Sequence, residues 1–526
     1  MSIPGLGQIA PTTAPSAATA STTSPTETHT LQPFWEYRFE VPLGSTLTIK
    51  LLSGTAEKDG TELAPNTAYE FSATKSKINT WHGCTLGVTA PGGTNAPFDA
   101  YISEPSAEET PLISYLNLHF KLEGMRSAAA QGQGRTGPRV MVVGPPSAGK
   151  SSLIRTLAGW ATRVGRQPLV VNTDPREGML ALPGTLSAAV FATIPDITND
   201  WGVSSTPMSG PSAVPVKLPL AYYYGLERPD DNPRLYRSVC GALAAAANAR
   251  LVSDPDARAA GMLIDTPGVA AKSPAAAGSE VLENLASEFG ANVVVVLGSE
   301  RMSGELARRF AGRTTALGEP VSVVGLAKSG GVVERDAVFM QGVRERAIRE
   351  YFFGDARNTL SPFTQQVEFD ALSVWKVNTA PSPTSPVLPD NDDSLYDPAG
   401  TINTTVPDVE KVEPCQPMQN CTLAVVYAPP TTRDPVRDDA NVMGFVYVAD
   451  VDEKKRRLRV LAPVSARLGD RPLLWGPWPE PMPVIDYGTI ICYGGSYRNT
   501  TGLMVAGRPK GGRGDERQGA SIFLGL

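Results

Sequence analysis

At 526 residues, with 47 Lys and Arg against 53 Asp and Glu, the chain has room for two to four domains and a net charge of −6. That balance excludes a surface that is basic throughout, so any nucleic acid would need a local groove. Five scattered cysteines (Cys84, Cys240, Cys415, Cys421, Cys492), three histidines and no apolar run near the ~18 residues of a membrane helix argue against a disulfide framework and a membrane span. The thiols read as reduced, in a soluble intracellular protein.

Residues 1–29 are Ala, Thr, Ser and Pro with almost nothing to bury, and are expected to form a disordered tail. Short alternating runs follow at 34–41 (FWEYRFEV), 45–51 (STLTIKL), 68–71 (AYEF) and 85–88 (TLGV), each bounded by Gly, Pro or Asn. They predict a small antiparallel β-domain over 30–125, closing with a helix over 114–125 that leads away from it. Residues 131–138 (QGQGRTGP) form a flexible joint.

Residues 144–151 read GPPSAGKS and match the phosphate-loop pattern GxxxxGK[ST] at every fixed position. An apolar run precedes the loop, and Leu153, Leu157 and Trp160 then recur on one helical face. Strand, glycine loop and helix together predict a nucleoside-triphosphate site. Gly144 and Gly149 permit the backbone angles, and the helix N-terminus favours phosphate. Lys150 would reach the β/γ-phosphates and the Ser151 hydroxyl would ligate Mg²⁺.

Beyond the loop, apolar strands at 140–143, 169–172, 262–265, 293–297 and 322–326 alternate with helical patterns at 151–164, 232–250, 280–289, 302–312 and 336–352. This alternation predicts an α/β P-loop domain over 135–376 with a mainly parallel sheet. A Pro- and acid-rich linker over 377–415 leads to a small C-terminal β or α+β domain over 416–526. There, strands at 442–450 and 457–461 flank a hairpin tip. The basic run 454–457 (KKRR) fits that solvated tip better than a nuclear-localisation signal. The Gly/Arg-rich stretch 508–519 is expected to be mobile.

Asp174 and Asp265 end the second and third strands of this domain, and either could serve the Mg²⁺ shell or an attacking hydroxyl. Residues 265–268 (DTPG) look like the DxxG of GTPases, but no [NT]KxD guanine-reading tetrad follows. Residues 328–335 (KSGGVVER), with Arg344, Arg346 and Arg349 behind them, fit a basic lid for phosphoryl transfer and equally a solvated helix face.

Several stretches, in order, carry a resemblance: 39–41 (FEV), 52–57 (LSGTAE), 60–63 (GTEL), 80–84 (TWHGC), the phosphate loop, 172–175 (NTDP), 183–185 (PGT), 328–335 and 348–354 (IREYFFG). Over roughly 30–376 the chain resembles the Clp-type branch of the polynucleotide 5′-hydroxyl-kinase family, the fungal subunit of the pre-mRNA cleavage and polyadenylation factor IA. The resemblance implies a nuclear protein with ATP and Mg²⁺ between the β-domain and the P-loop domain. Glu36 and Lys75 would lie at the adenine, Gly144 and Ser147, Ala148, Gly149, Lys150, Ser151 and Ser152 at the phosphates, and Ser151 with Asp174 at the metal. It implies as partners the large scaffold subunit and other subunits of the factor, with pre-mRNA reached through the complex.

Two positions depart from the kinase pattern. Val269 stands where RNA-kinase members carry a base-stacking tryptophan, a contact worth about 1–3 kcal/mol. Met340 stands where they carry a second lid arginine. The expectation is therefore an ATP-binding structural subunit without kinase activity. The alternative is an active RNA 5′-hydroxyl kinase using Lys150, Asp174 and Arg335.

Overall fold

The computed structural model describes residues 26–90, 98–104, 111–132, 136–198, 201, 216–269, 275–354, 359–380, 407–432, 434–436, 440–463 and 468–483. The expected tail up to residue 25, most of the 377–400 segment, Cys492 and the 508–519 stretch lie outside them. Among the described residues there are three seven-stranded sheets, and no helix is long and apolar enough to cross a membrane.

The first sheet holds β1 (Thr26–Leu31), β2 (Glu36–Gly54), β3 (Glu57–Lys58), β4 (Thr61–Glu62), β5 (Ala68–Asn79), β6 (Cys84–Thr89) and β7 (Asp99–Ser103). All its pairings are antiparallel, in the order β1-β6-β2-β5-β3-β4 with β7 also on β2. The expected β-domain is confirmed, with changed boundaries. β1 starts inside the stretch assigned to the tail, because Thr26–Leu31 pair residue by residue with Cys84–Thr89. The runs at 34–41 and 45–51 are one strand, β2, whose pairing with β5 shifts between Val41 and Thr46. β5 continues through the polar Ser72–Asn79, which was not read as a strand. Tyr37, Phe39, Leu47, Ile49, Phe71, Ile78 and Leu86 fill the core between its faces.

Helix α1 (Pro111–Ala130) turns Leu112, Tyr115, Leu118 and Leu122 inward at helical spacing. They pack among Val140, Leu153, Leu157 and Val170, so the helix that closes the N-terminal domain docks into the central domain's core.

The central sheet contains β8 (Arg139–Val143), β9 (Leu169–Asn172), β10 (Thr185–Phe191), β11 (Val216–Tyr223), β12 (Met262–Asp265), β13 (Val293–Leu297) and β14 (Ser322–Leu326), in the order β11-β10-β9-β12-β8-β13-β14. From β9 to β14 every pairing is parallel. All five expected strands are present. β8, β9, β12 and β13 are buried along their length, as runs of Val, Ile and Leu covered on both faces must be. β10 and β11 extend the sheet antiparallel beyond β9 and were not anticipated. The helices are α2 (Lys150–Arg163), α3 (Pro233–Ser253), the short α4 (Pro255–Ala260), α5 (Ala275–Phe289), α6 (Glu300–Arg309) and α7 (Ala337–Phe353). Because β8 has β12 on one side and β13 on the other, the sheet's switch point falls at the carboxyl end of β8. Open α/β sheets place their ligands there.

The third sheet joins β15 (Phe363–Glu368), β16 (Ser373–Val377), β17 (Val409–Val412), β18 (Thr422–Val426), β19 (Val442–Asp452), β20 (Arg457–Ala462) and β21 (Pro472–Trp475). Two expected boundaries move. β15 and β16 lie before residue 377 yet pair with β20, β21 and β17, so this domain begins before the expected end of the P-loop domain. β17 falls inside the expected linker. The β19–β20 hairpin carries the KKRR run at its tip as expected, with Arg456 paired to Asp370 and Glu413.

Candidate functional site

The phosphate loop leaves β8 and enters α2 as its pattern requires. Gly149 caps α2 at φ 89°, in the left-handed region that favours glycine, and Ser147 also holds a positive φ of 52°. A Cβ on Gly144 would lie 2.6 Å from the Leu297 carbonyl oxygen, so the loop can pass β13 only without a side chain. The DTPG turn after β12 closes on the loop from above. Thr266 Oγ1 donates to the Val142 carbonyl at 2.8 Å and the Val269 N–H to the Gly144 carbonyl at 3.2 Å.

A cleft of about 520 Å³ opens at this point, within the size range of small-molecule sites. One wall is the loop, Ser147 to Ser152; the opposite wall is β5 of the sandwich, with Lys75, Lys77 and Asn79. Arg335, Met340 and Arg344 from the lid and α7 lie along it, with Asp174 and Glu177 facing them.

Each expected residue has a defined place. Lys150 is buried and its Nζ donates to the Pro145 carbonyl at 3.2 Å. Ser152 Oγ accepts from Arg155 at 3.3 Å, and Ala148 packs in the core. Asp174 is half-buried and takes backbone N–H from Arg176 at 3.1 Å. Burial and the nearby Glu177 carboxylate raise its carboxyl above the ordinary value, against the pull of Arg176 and Lys150. Asp265 is buried with Oδ1 lacking any partner, and burial pushes its carboxyl up to about 6, although Lys150 and a hydrogen bond from Ser151 act downward. A buried carboxylate oxygen without a partner, beside the loop serine, fits a cation ligand. Among the described residues no three His, Cys, Asp or Glu form a complete metal cage. Mg²⁺ does not need one, since one or two carboxylates plus phosphate oxygens and water hold it.

On the sandwich side, Lys75 lines the cleft, 2.8 Å from Glu40, with its Nζ donating to the Glu334 carbonyl at 3.3 Å and standing over the Phe339 ring. Glu36 is buried and does not line the cleft; it pairs with Arg38 and Lys77. Burial alone would raise its carboxyl, but Lys77 and then Arg38 override this and hold it below the ordinary value. Lys77 is thus the cation Glu36 presents to the cleft, and it also donates to Ser329 Oγ of the lid at 2.9 Å. Sequence reasoning missed Lys77 because it sits in the polar half of β5. Arg335 reaches Glu177 at 3.4 Å.

A second contact joins sandwich and P-loop domain beside the cleft, whose lining includes Asp59, Asn79 and Thr156. Glu57 is buried and accepts from Asn79 Nδ2 (3.2 Å), Trp81 Nε1 (3.0 Å) and Trp160 Nε1 (3.3 Å), with Arg163 3.6 Å away. Beside it, a Cβ on Gly60 would fall 2.5 Å from the Thr156 carbonyl oxygen and one on Gly159 2.8 Å from that of Asp59, so hairpin and helix touch backbone to backbone.

A glycine-rich phosphate loop at the switch point of a parallel sheet, with a lysine and two carboxylates converging on it, defines a P-loop nucleotide-binding protein, here with a β-sandwich facing the loop. Comparison with known proteins narrows this. Residues 144–354 match the family model described as mRNA cleavage and polyadenylation factor CLP1 P-loop. Residues 30–129 match the N-terminal beta-sandwich domain of polyadenylation factor, and 360–480 the pre-mRNA cleavage complex II protein Clp1. The chain is 52% identical to the mRNA cleavage and polyadenylation factor clp1 of Botryotinia fuckeliana, covering 91% of this chain and 98% of that one. It is 47% identical to the CLP1 of Pyricularia oryzae, at 91% and 99% coverage. Among solved structures, Clp1p in complex with a segment of Pcf11p matches with a TM-score of 0.72 and 26% identity, over 87% of this chain and 99% of that one. A second, at the same TM-score and identity and covering 86% and 99%, concerns an extended interface between Pcf11p and Clp1p and the structural basis for ATP loss in a glycine-to-arginine point mutant. The chain belongs to the Clp1 family of mRNA cleavage and polyadenylation factors.

Proposed function

We propose that this protein is an ATP-binding structural subunit of the nuclear pre-mRNA 3′-end cleavage and polyadenylation factor. Bound Mg²⁺–ATP would complete the contact between sandwich and P-loop domain without being a phosphoryl donor. The observation that carries this reading is the two-sided cleft. Lys150 and the loop N–H groups would hold the triphosphate from one wall. Lys75 and Lys77, the latter set by Glu36, would hold the nucleoside end from the other. Ser151, Asp174 and Asp265 suit the Mg²⁺ shell, with Asp265 an addition to the residues expected from sequence. When bound, ATP supplies negative charge that offsets the converging lysines; the chain's own contribution is to bind it and to hold the two walls in register.

Two further features support a structural role. The lid is tied to the sandwich through Lys75–Glu334 and Lys77–Ser329, while Arg346 on α7 donates to the Ser72 carbonyl at 2.7 Å. Met340 lines the cleft where a lid cation would be needed, and Val269 offers no ring for stacking. Since a relative in this family is a complex of Clp1p with Pcf11p, the partner we propose is the corresponding scaffold subunit, with pre-mRNA reached through the assembled factor in the nucleus.

The test is a transfer assay combined with a pull-down. Purified protein and its Lys150→Ala variant are incubated with γ-labelled ATP, Mg²⁺ and a 5′-hydroxyl RNA, and then with the scaffold partner. The proposal expects stoichiometric ATP in the wild type, no label on RNA, and weaker partner capture by the variant. Label that disappears in the variant would make the protein a kinase working through Lys150, Asp174 and Arg335.

A further inference from the structure

Beside Arg344 the cleft is lined by Trp478, from the segment that follows β21. After β21 the chain does not stay with the third sheet but crosses to the central domain over 476–480. Its seat there is made by glycines. A Cβ on Gly476 would fall 2.1 Å from the Gly225 carbonyl oxygen, and one on Gly184 would fall 2.7 Å from that of Trp478. The Gly476 N–H donates to Tyr223 Oη at 3.0 Å and the Trp478 N–H to the Gly225 carbonyl at 3.1 Å. The chain then returns, with the Met482 N–H donating to the Asn420 carbonyl and Tyr447 Oη to the Met482 carbonyl.

This crossing sets two side chains against the lid. Trp478 lines the cleft and donates from Nε1 to the carbonyl of Pro175, the residue after Asp174, at 3.3 Å. The Arg344 guanidinium lies 4.4 Å from the Trp478 ring centroid, and both oxygens of Glu480 accept from it. Arg344 is thereby buried, stacked and charge-neutralised by a bidentate carboxylate. A polynucleotide end approaching Asp174 would need an open mouth and free positive charge. It would meet an indole and a compensated arginine.

We infer that residues 476–482 are a built-in plug: Trp478 and Glu480 close the acceptor end of the cleft and withhold Arg344, so that a single-stranded nucleic-acid end cannot enter. This goes further than the loss of Val269 and Met340, because it blocks access even where cations remain. It rests on the reading of the cleft as a nucleoside-triphosphate site.

The test uses full-length protein, with its nucleotide content measured by chromatography of an acid extract. A fluorescein-labelled 5′-hydroxyl RNA decanucleotide is titrated at about physiological salt and followed by anisotropy. The wild type should bind weakly. Glu480→Gln, which keeps the side-chain shape while freeing Arg344, should bind at least about tenfold more tightly, and adding Arg344→Gln should abolish the gain. Trp478→Ala should gain as well; if it proves unstable, Glu480→Gln decides alone. Equal binding by wild type and Glu480→Gln overturns the plug. So does weaker binding by a folded Trp478→Ala, which would make the indole a stacking platform. An extract without nucleotide would sink the ATP reading and leave the anisotropy comparison to judge the plug separately.

Discussion

Two of the places where the sandwich meets the P-loop domain are built in opposite ways. At the β3–β4 hairpin the contact is complete within the chain: Gly60 and Gly159 let backbones touch, and Glu57 is met by three N–H donors. In the cleft, Lys75, Lys77, Lys150 and Asp174 border a cavity, and Asp265, one of whose carboxylate oxygens lacks a partner, is buried beside the loop. The first is a latch that needs no ligand. The second is an open cavity between the two walls, a gap that no side chain from either wall closes among the described residues. Nucleotide would therefore tighten a docking that already exists instead of creating it.

The sharpest way to break this contrast is Glu57→Ala, which strands the amide of Asn79 and the indole N–H groups of Trp81 and Trp160 in a buried site. The expected loss is about 3–5 kcal/mol in urea denaturation, the same with and without ATP. An ATP-dependent loss would merge the two regions into one. Lys150→Ala should behave the other way. In nucleotide-stripped protein its stability should match wild type. With ligand at about 100 times the wild-type Kd, it should lack the roughly 2.7 kcal/mol that binding adds.

A third prediction probes the latch by pH. His119 packs against Trp160, and burial, then Arg126, lowers its pKa to about 4 from 6.5, against a smaller upward pull from Glu123. The unfolded chain therefore takes up a proton that the fold refuses. The stabilisation is present above pH 6.5 and is lost as pH falls toward 4. Between pH 7 and 5 this amounts to about 2 kcal/mol, which a His119→Gln variant should not lose. The smallest effect is expected of Met340→Arg. It should change stability by less than about 0.5 kcal/mol and leave RNA unlabelled by γ-labelled ATP, because Arg344 stays bound to Glu480.

What was legible in the sequence was whatever is local. The phosphate loop announces itself with its flanking strand and helix, and β8, β9, β12, β13 and β14 are short apolar runs with turn signals at their ends. β10 and β11 were missed; β10 (TLSAAVF) mixes small and polar residues and lies inside the sheet between two antiparallel partners. The second half of β5 reads as surface because Ser, Thr and Lys alternate there, yet it forms the far wall of the cleft. Glu57 meets Trp160 across 103 positions and Trp478 meets Pro175 across 303. Contacts at such separations leave no periodicity to read. For that reason the contacts of Trp478 and Glu480 with Arg344 could not be read from the sequence.

Hydrogen–deuterium exchange on nucleotide-stripped protein, with and without Mg²⁺–ATP, tests the two-region account most directly. Residues 75–79 and 328–340 should slow by about tenfold or more when ATP is added, while 60–63 and 157–163 stay equally protected in both states. Cleft segments that exchange alike with and without ATP, or a hairpin that loosens when ATP is stripped, would contradict it.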